Sequence, residues 1–364
     1  MSRNLRHAVG SLLVVGLSGT ELSGLERAWL KLVRPAGIIL FRRNINEAKQ
    51  TRQLLDEATA LGASHSFRCI DVEGGSVDRL RDALAPLPSA QTVAQTGNEK
   101  LMREHGELIA RGVKAFGFNT TLAPVLDLAL PASAQVMGSR AAASTVAGVV
   151  VYARNFLAGI QAQGVVGCGK HFPGLGAGTL DSHLETPFIH RSMLQLNRED
   201  LLPYKQLREE LPMIMVNHAA YPETPGRNRP ASISPFWITT VLRKRIGYRG
   251  IVFSDDLEMG GILKVLSIEE ASIAAIRAGL DLIEICHSPE LILRAYEALI
   301  AEAGRSAAFR NLLHASVERT ARLRKILFAD GVPKSLTAKQ FEALRARIRR
   351  YSEIIAGSQE AKTA

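Results

Sequence analysis

Aromatic residues are scarce: Phe, Trp and Tyr together make up only 5% of the 364 residues. Proteins that bind single-stranded nucleic acid stack bases on aromatic rings, so this small stock argues against such a surface. Cysteine is scarcer still. The three, Cys69, Cys168 and Cys286, are odd in number, far apart, and placed in or at the end of apolar runs. That suits neither a disulfide framework nor a zinc cluster, and they read as small core residues in a reducing compartment. No apolar run approaches the roughly 20 residues of a membrane-spanning helix. Arg3 and Arg6 followed by Ala8 to Gly16 imitate a short signal peptide, but the apolar part is short and no small-x-small cleavage site follows. The segment is read as a buried first strand of a cytoplasmic protein. Acidic residues are the minority, 35 against 45 basic, for a net charge of +10. The basic residues are scattered, with some crowding at Arg345, Arg347, Arg349 and Arg350, which reads as a solvated helix face. Neither nucleic acid nor membrane is therefore expected as a partner. His171, His183 and His218 lie apart, without His-x-x-x-His or His-Glu-x-x-His spacing, so no metal or other cofactor is expected.

What the chain does have is alternation. Apolar, β-rich runs recur at 12–17, 37–41, 67–70, 121–126, 165–168, 213–216, 251–253 and 282–286. Stretches of helical period separate most of them, at 45–61, 99–116, 145–162, 191–211, 234–246 and 268–278. Strands that read as continuous apolar runs are expected where both faces are buried. Eight strand and helix units in this length fit one parallel (βα)8 barrel of the TIM type, with a doubly wound open sheet as the alternative. Ser288-Pro289 opens a helix to about Ala303, and Gly331-Val332-Pro333 separates two further helical stretches. The expected organisation is a catalytic barrel over 1–303 and C-terminal helices over 304–364, packed on the barrel and frayed from about Gly357, in a monomeric chain.

Active-site groups of such barrels come from the C-terminal ends of different strands. Polar residues collect at the ends of the runs: Asp71 and Glu73, Asn119 and Asp127, Lys170 and His171, Asn217 and His218, Ser254, Asp255 and Asp256. After the fifth run, three glycines and a proline make a long polar loop, and in it Asp181 stands two residues before His183. A carboxylate so placed favours the charged, proton-donating imidazole. One acid of the Asp255-Asp256 pair enters the barrel mouth, because neighbours on a strand face opposite ways. Retaining glycosidases need such a carboxylate, with a protonatable group about 5 Å away that acts first as acid and then as base. His183 suits the second role.

These residues fall in ordered motifs: Gly37 to Phe41 with Arg43-Asn44, Ile70 to Gly75 with Arg79-Leu80, Asn119 with Leu122 to Asp127, Gly138-Ser139-Arg140, Gly169 to Gly174 with Asp181-Ser182-His183, and Phe253 to Met259. In them the chain closely resembles the β-N-acetylglucosaminidases of glycoside hydrolase family 3, from the first strand to about Ala303. The resemblance implies that Asp255 is the nucleophile, His183 the general acid/base and Asp181 its orienting partner. It also implies sugar contacts from Asp71, Arg79, Arg140, Lys170 and His171. The Asp-Ser-His element looks like the mark of the N-acetylglucosaminidase branch. Two positions depart from the family's pattern, Leu175 where histidine is common and Ser76 where arginine is. The resemblance further implies release of terminal β-linked N-acetylglucosamine with retention, from muropeptide fragments of cell-wall recycling. The rivals are a phosphorylase, a β-glucosidase and a non-catalytic sugar-binding barrel.

Overall fold

A computed structural model describes residues 3–178 and 186–363 of the chain. Each of the eight apolar runs supplies a strand: β1 Leu13–Gly16, β2 Gly37–Leu40, β3 Phe67–Ile70, β4 Thr120–Thr121, β5 Val166–Phe172, β6 Met213–Val216, β7 Ile251–Asp256 and β8 Leu282–Ile285. Every strand pairs in parallel with its sequence neighbours, and β8 closes on β1 through Leu13 opposite Ile283. The fold is thus a closed (βα)8 barrel with additional helices. Closure brings β1 against the end of β8 so tightly that a Cβ on Gly16 would lie 1.8 Å from the Cys286 carbonyl oxygen.

The strands sort their side chains by parity. On β7, Ile251 and Phe253 join the interior of the barrel, where they meet Cys69, Cys168, Met215 and Leu282, while Val252 belongs to the layer between sheet and helices. All three cysteines are free and buried, with Cys286 in the same interior group. The N-terminal end of the barrel is stoppered by Phe328, which follows the helix Ala307–Leu327 and meets Phe67 edge-on at 5.1 Å. Arg319 of that helix pairs with buried Asp281 at the start of β8. A last helix, Ala338–Thr363, continues through Gly357 and buries Leu344, Ile348, Tyr351 and Ile355.

Several elements differ from the sequence expectation. The segment ahead of the first run, read with it as a buried strand, is a helix, Arg3–Gly10, and β1 begins only at Leu13. Leu5 and Val9, four residues apart, share its buried face. The stretch 191–211 divides into Met193–Arg198 and Leu202–Gln206, with Pro203 in the first turn of the second. β4 is shorter than its run, since Pro124 has no N–H to offer a neighbouring strand. β5 is longer and carries Lys170 and His171 within it, not beyond it.

Candidate active site

The site is built at the C-terminal ends of the strands from a line of charges of alternating sign. Beyond β3, a hairpin of Val72–Gly74 and Val77–Asp78 turns on Gly74 and Gly75, both at positive φ. A Cβ on Gly74 would lie 2.2 Å from the Pro88 carbonyl oxygen. The turn returns the chain so that the Arg79 N–H donates to the Asp71 carbonyl at 3.2 Å, and the two side chains face each other at 3.9 Å. Lys170 Nζ lies 2.8 Å from Asp71 and 2.7 Å from Glu73. Arg140, from the turn Gly138–Arg140, forks onto Glu73 with Nε and Nη2 each at 2.9 Å. Its Nη2 also stands 3.4 Å from His171 Nε2, and His171 Nδ1 donates to Asp127 at 2.7 Å. Asp127 Oδ1 accepts the Leu175 N–H at 2.6 Å, tying the start of the following loop to the same group.

Glu73, Asp127, Lys170 and His171 are buried, where a charge survives only if it is matched. Burial works to raise the Glu73 carboxyl, but Arg140 and Lys170 outweigh it and hold the group well below the usual carboxylate range. Burial likewise works to strip Lys170 of its proton, and Asp71 and Glu73 reverse that and push it above its ordinary value. At the end of β7, desolvation would raise the Asp255 carboxyl. His218, His171 and Lys170 more than offset it, and the Asp256 N–H donates to Asp255 Oδ1 at 3.0 Å, so Asp255 is held low and ionised. His218 in turn donates from Nε2 to the Asp256 carbonyl at 2.9 Å and meets Ser232 Oγ at 2.7 Å through Nδ1, which steadies the backbone of the acid pair.

Six residues expected from sequence, Asp71, Arg79, Arg140, Lys170, His171 and Asp255, line one cavity of about 500 Å³. Asp256 also lines it, and its Oδ2 faces the imidazole of His287 at 3.4 Å. Asp181 and His183 lie outside the described residues. Asn119 does not belong to this face: it precedes β4, accepts the Arg68 N–H and donates to the Ser66 carbonyl, so it ties strand starts together at the opposite end. Sequence reasoning assigned no role to Glu73, Glu284 or His287. Glu73 stood in a quoted motif, but its partner Arg140 is 67 residues away. Glu284 announced itself as an acid inside an apolar run, and His287 as a polar residue just past the end of the eighth. His287 stacks on Phe41 with centroids 5.4 Å apart, and its Nδ1 donates to Glu258 at 2.9 Å. Those bonds to Asp256 and Glu258 raise the imidazole to about 9. Asp256, Glu258 and His287 are the group among the described residues whose ligand atoms come within 4.8 Å of one another. An Nδ1 that donates its proton to Glu258 is not free to bind a cation.

The model of the glycosyl hydrolase family 3 N-terminal domain matches residues 4–323. The chain belongs to glycoside hydrolase family 3. It is 38% identical over 287 residues to a β-hexosaminidase of Alkalilimnicola ehrlichii, covering 77% of this chain and 82% of that protein. It is 34% identical over 279 residues to one of Idiomarina loihiensis, covering 76% and 83%. Among solved structures, a family 3 β-N-acetylglucosaminidase from Paenibacillus superposes with a TM-score of 0.88 at 29% identity, over 96% of this chain and 69% of that one. NagZ of Neisseria gonorrhoeae, solved with N-trifluoroacetyl-D-glucosamine, superposes with a TM-score of 0.78 at 27% identity, over 96% and 97%. This family 3 chain is thus a glycoside hydrolase of the β-hexosaminidase kind.

Proposed function

We propose that the protein is a retaining, exo-acting β-N-acetylglucosaminidase that removes terminal β-linked N-acetylglucosamine through a covalent intermediate on Asp255. The observation that carries the reading is an ionised Asp255 in a cavity whose other polar walls, Asp71, Lys170, His171 and Arg140, supply carboxylate and cationic hydrogen-bonding groups suited to sugar hydroxyls. Asp255 attacks the anomeric carbon as His183, oriented by Asp181, gives its proton to the departing oxygen. His183 then takes a proton from water, which displaces Asp255 and restores the β configuration. Arg42, Arg43, Arg79 and His287 give the cavity a cationic wall, which supports anionic muropeptide fragments as substrates, handled in the cytoplasm. The same cations favour a second reading, in which phosphate displaces the intermediate. Comparison of products with and without phosphate decides between them.

The test is turnover of an aryl β-N-acetylglucosaminide by the wild type, Asp255→Ala and His183→Ala. Asp255→Ala is expected to be nearly inactive. His183→Ala is expected to suffer least on activated leaving groups, which need little protonation. A wild type that binds N-acetylglucosamine but never cleaves the aryl glycoside would overturn the reading.

A further inference from the structure

Glu284 occupies a place where the barrel has every reason to put a hydrocarbon. It stands in β8 on the same face as Leu282 and Cys286, which join the barrel interior with Cys69 and Cys168. The residue is 2% exposed, yet it lines the cavity that holds Asp255. Its backbone N–H donates to Ser254 Oγ at 2.9 Å, but among the described residues Oε1 has no hydrogen-bond partner. A buried carboxyl oxygen without a partner destabilises a fold that a leucine at the same position would stabilise. An acid on the wall of a binding cavity, with a buried oxygen left unmet among the described residues, has a ready explanation, a partner for the carboxyl that arrives with the ligand.

The chemistry of the carboxyl narrows the partner. Burial, then the nearby charges of Asp256, Asp71 and Asp255, push Glu284 well above the usual carboxylate range, with Lys170 the opposing influence. A carboxyl that keeps its proton is an O–H donor with an accepting oxygen beside it. Asp71 and Asp255 can only accept, and Lys170 and Arg140 can only donate. Glu284 therefore suits a ring hydroxyl, which both donates and accepts through a single oxygen.

We propose that Glu284 is a specificity-determining residue that hydrogen-bonds, from the interior wall of the cavity, a ring hydroxyl of the sugar held over Asp255. The inference rests on the reading of this cavity as a sugar site and adds to it the residue that reads one hydroxyl.

The experiment measures inhibition constants of N-acetylglucosamine and its 3-, 4- and 6-deoxy analogues, with an aryl β-N-acetylglucosaminide as reporter, for the wild type, Glu284→Leu and Glu284→Gln. The wild type is expected to bind one deoxy analogue about 3- to 10-fold more weakly than the parent, the worth of one neutral hydrogen bond. Glu284→Leu should bind that analogue and the parent equally, keep its discrimination against the other two, and melt no lower than the wild type. Glu284→Gln, which keeps a donor and an acceptor, should recover much of the discrimination. Glu284→Met reads the same contrast if the leucine variant does not fold. A leucine or methionine variant that retains the wild-type pattern, or that loses affinity equally for all four sugars, would overturn the proposal, and so would a wild type indifferent to every deoxy position. A wild type with no turnover and no sugar binding refutes the sugar site itself, which separates that failure from a failure of Glu284.

Discussion

Replacement of Glu73 by Gln removes one negative charge from between two buried cations and leaves the shape almost unchanged. In the wild type, Lys170 Nζ stands 2.7 Å from this carboxylate and Arg140 grips it twice at 2.9 Å. The side chains of Glu73 and Lys170 are only 3% and 4% exposed, so water screens the charges weakly. Taking one partner from a buried ion pair costs about 3–5 kcal/mol. At about 2.1 cal/mol/K of unfolding entropy per residue, a chain of this length unfolds with about 0.76 kcal/mol/K, so the melting midpoint at pH 7 should fall by about 4–7 °C. The Glu73 pKa is depressed from 4.5, so its contribution is present above that pH and is lost as pH falls through the lower folded value. The gap between wild type and variant should therefore narrow below pH 4.5. Activity should fall as well, by about 10- to 100-fold in kcat/KM, because Arg140 and Lys170 lose the group that aims them into the cavity. Calorimetry across pH checks the first expectation and aryl-glycoside kinetics the second. A midpoint within about 1 °C of wild type at pH 7 would refute the claim that this carboxylate matches the two cations.

Asp127→Asn should lower kcat/KM by about 10-fold or more with a modest drop in melting midpoint, since it weakens the hold on His171 and on the Leu175 N–H; kinetics and melting of the same preparation test the split. Asp200 is lifted to about 7 by burial, despite Arg191 at 3.2 Å. A carboxyl with a raised pKa gives stability that is full below its ordinary 3.8 and is lost as pH rises through about 7. Asp200→Asn should consequently gain on the wild type between pH 5 and 9, and melting curves at both ends measure the gain. His287, raised to about 9 from 6.5, contributes stability that is full below pH 6.5 and lost as pH rises through about 9. The deficit of His287→Asn in a melting series should thus vanish above pH 9, and because the ring is 55% exposed it should also shrink with added salt.

How much of this could be read beforehand depended on how local each signal was. β7 was legible because its apolar run and acid pair are contiguous, and the helix Ile268–Ala278 because Ser267 and Glu270 form a capping box and Gly279 ends it at positive φ. The barrel followed from eight such units in order. The Arg3–Gly10 helix was missed because two buried positions four apart, beside an apolar strand, look like more strand. Asn119 was misplaced for a related reason. A polar residue beside a run carries no mark of whether it precedes or follows the paired residues, and β4 pairs only at Thr120 and Thr121. The ion pairs were the least legible part, since Arg140 meets Glu73, and Lys170 meets Asp71, only after the strands between them have closed the barrel.

The line of charge from Arg79 to Asp127 explains why so many ionised groups can share one cavity. Glu73 and Asp127, which do not line the cavity, hold Arg140, Lys170 and His171 in place, so those three face it with their orientation already fixed. Asp255 is treated differently. Among the described residues no lysine, arginine or histidine forms an ion pair with it, and its one near contact is the N–H of the next residue. Its charge is maintained instead by His218, His171 and Lys170 acting through space. For the proposed nucleophile the distinction matters. An arginine forked onto Asp255 would also keep it ionised, but both oxygens would then have to leave that partner before either reached an anomeric carbon, adding to the barrier. Placing these groups at a distance keeps the carboxylate ionised and leaves it an oxygen free to attack.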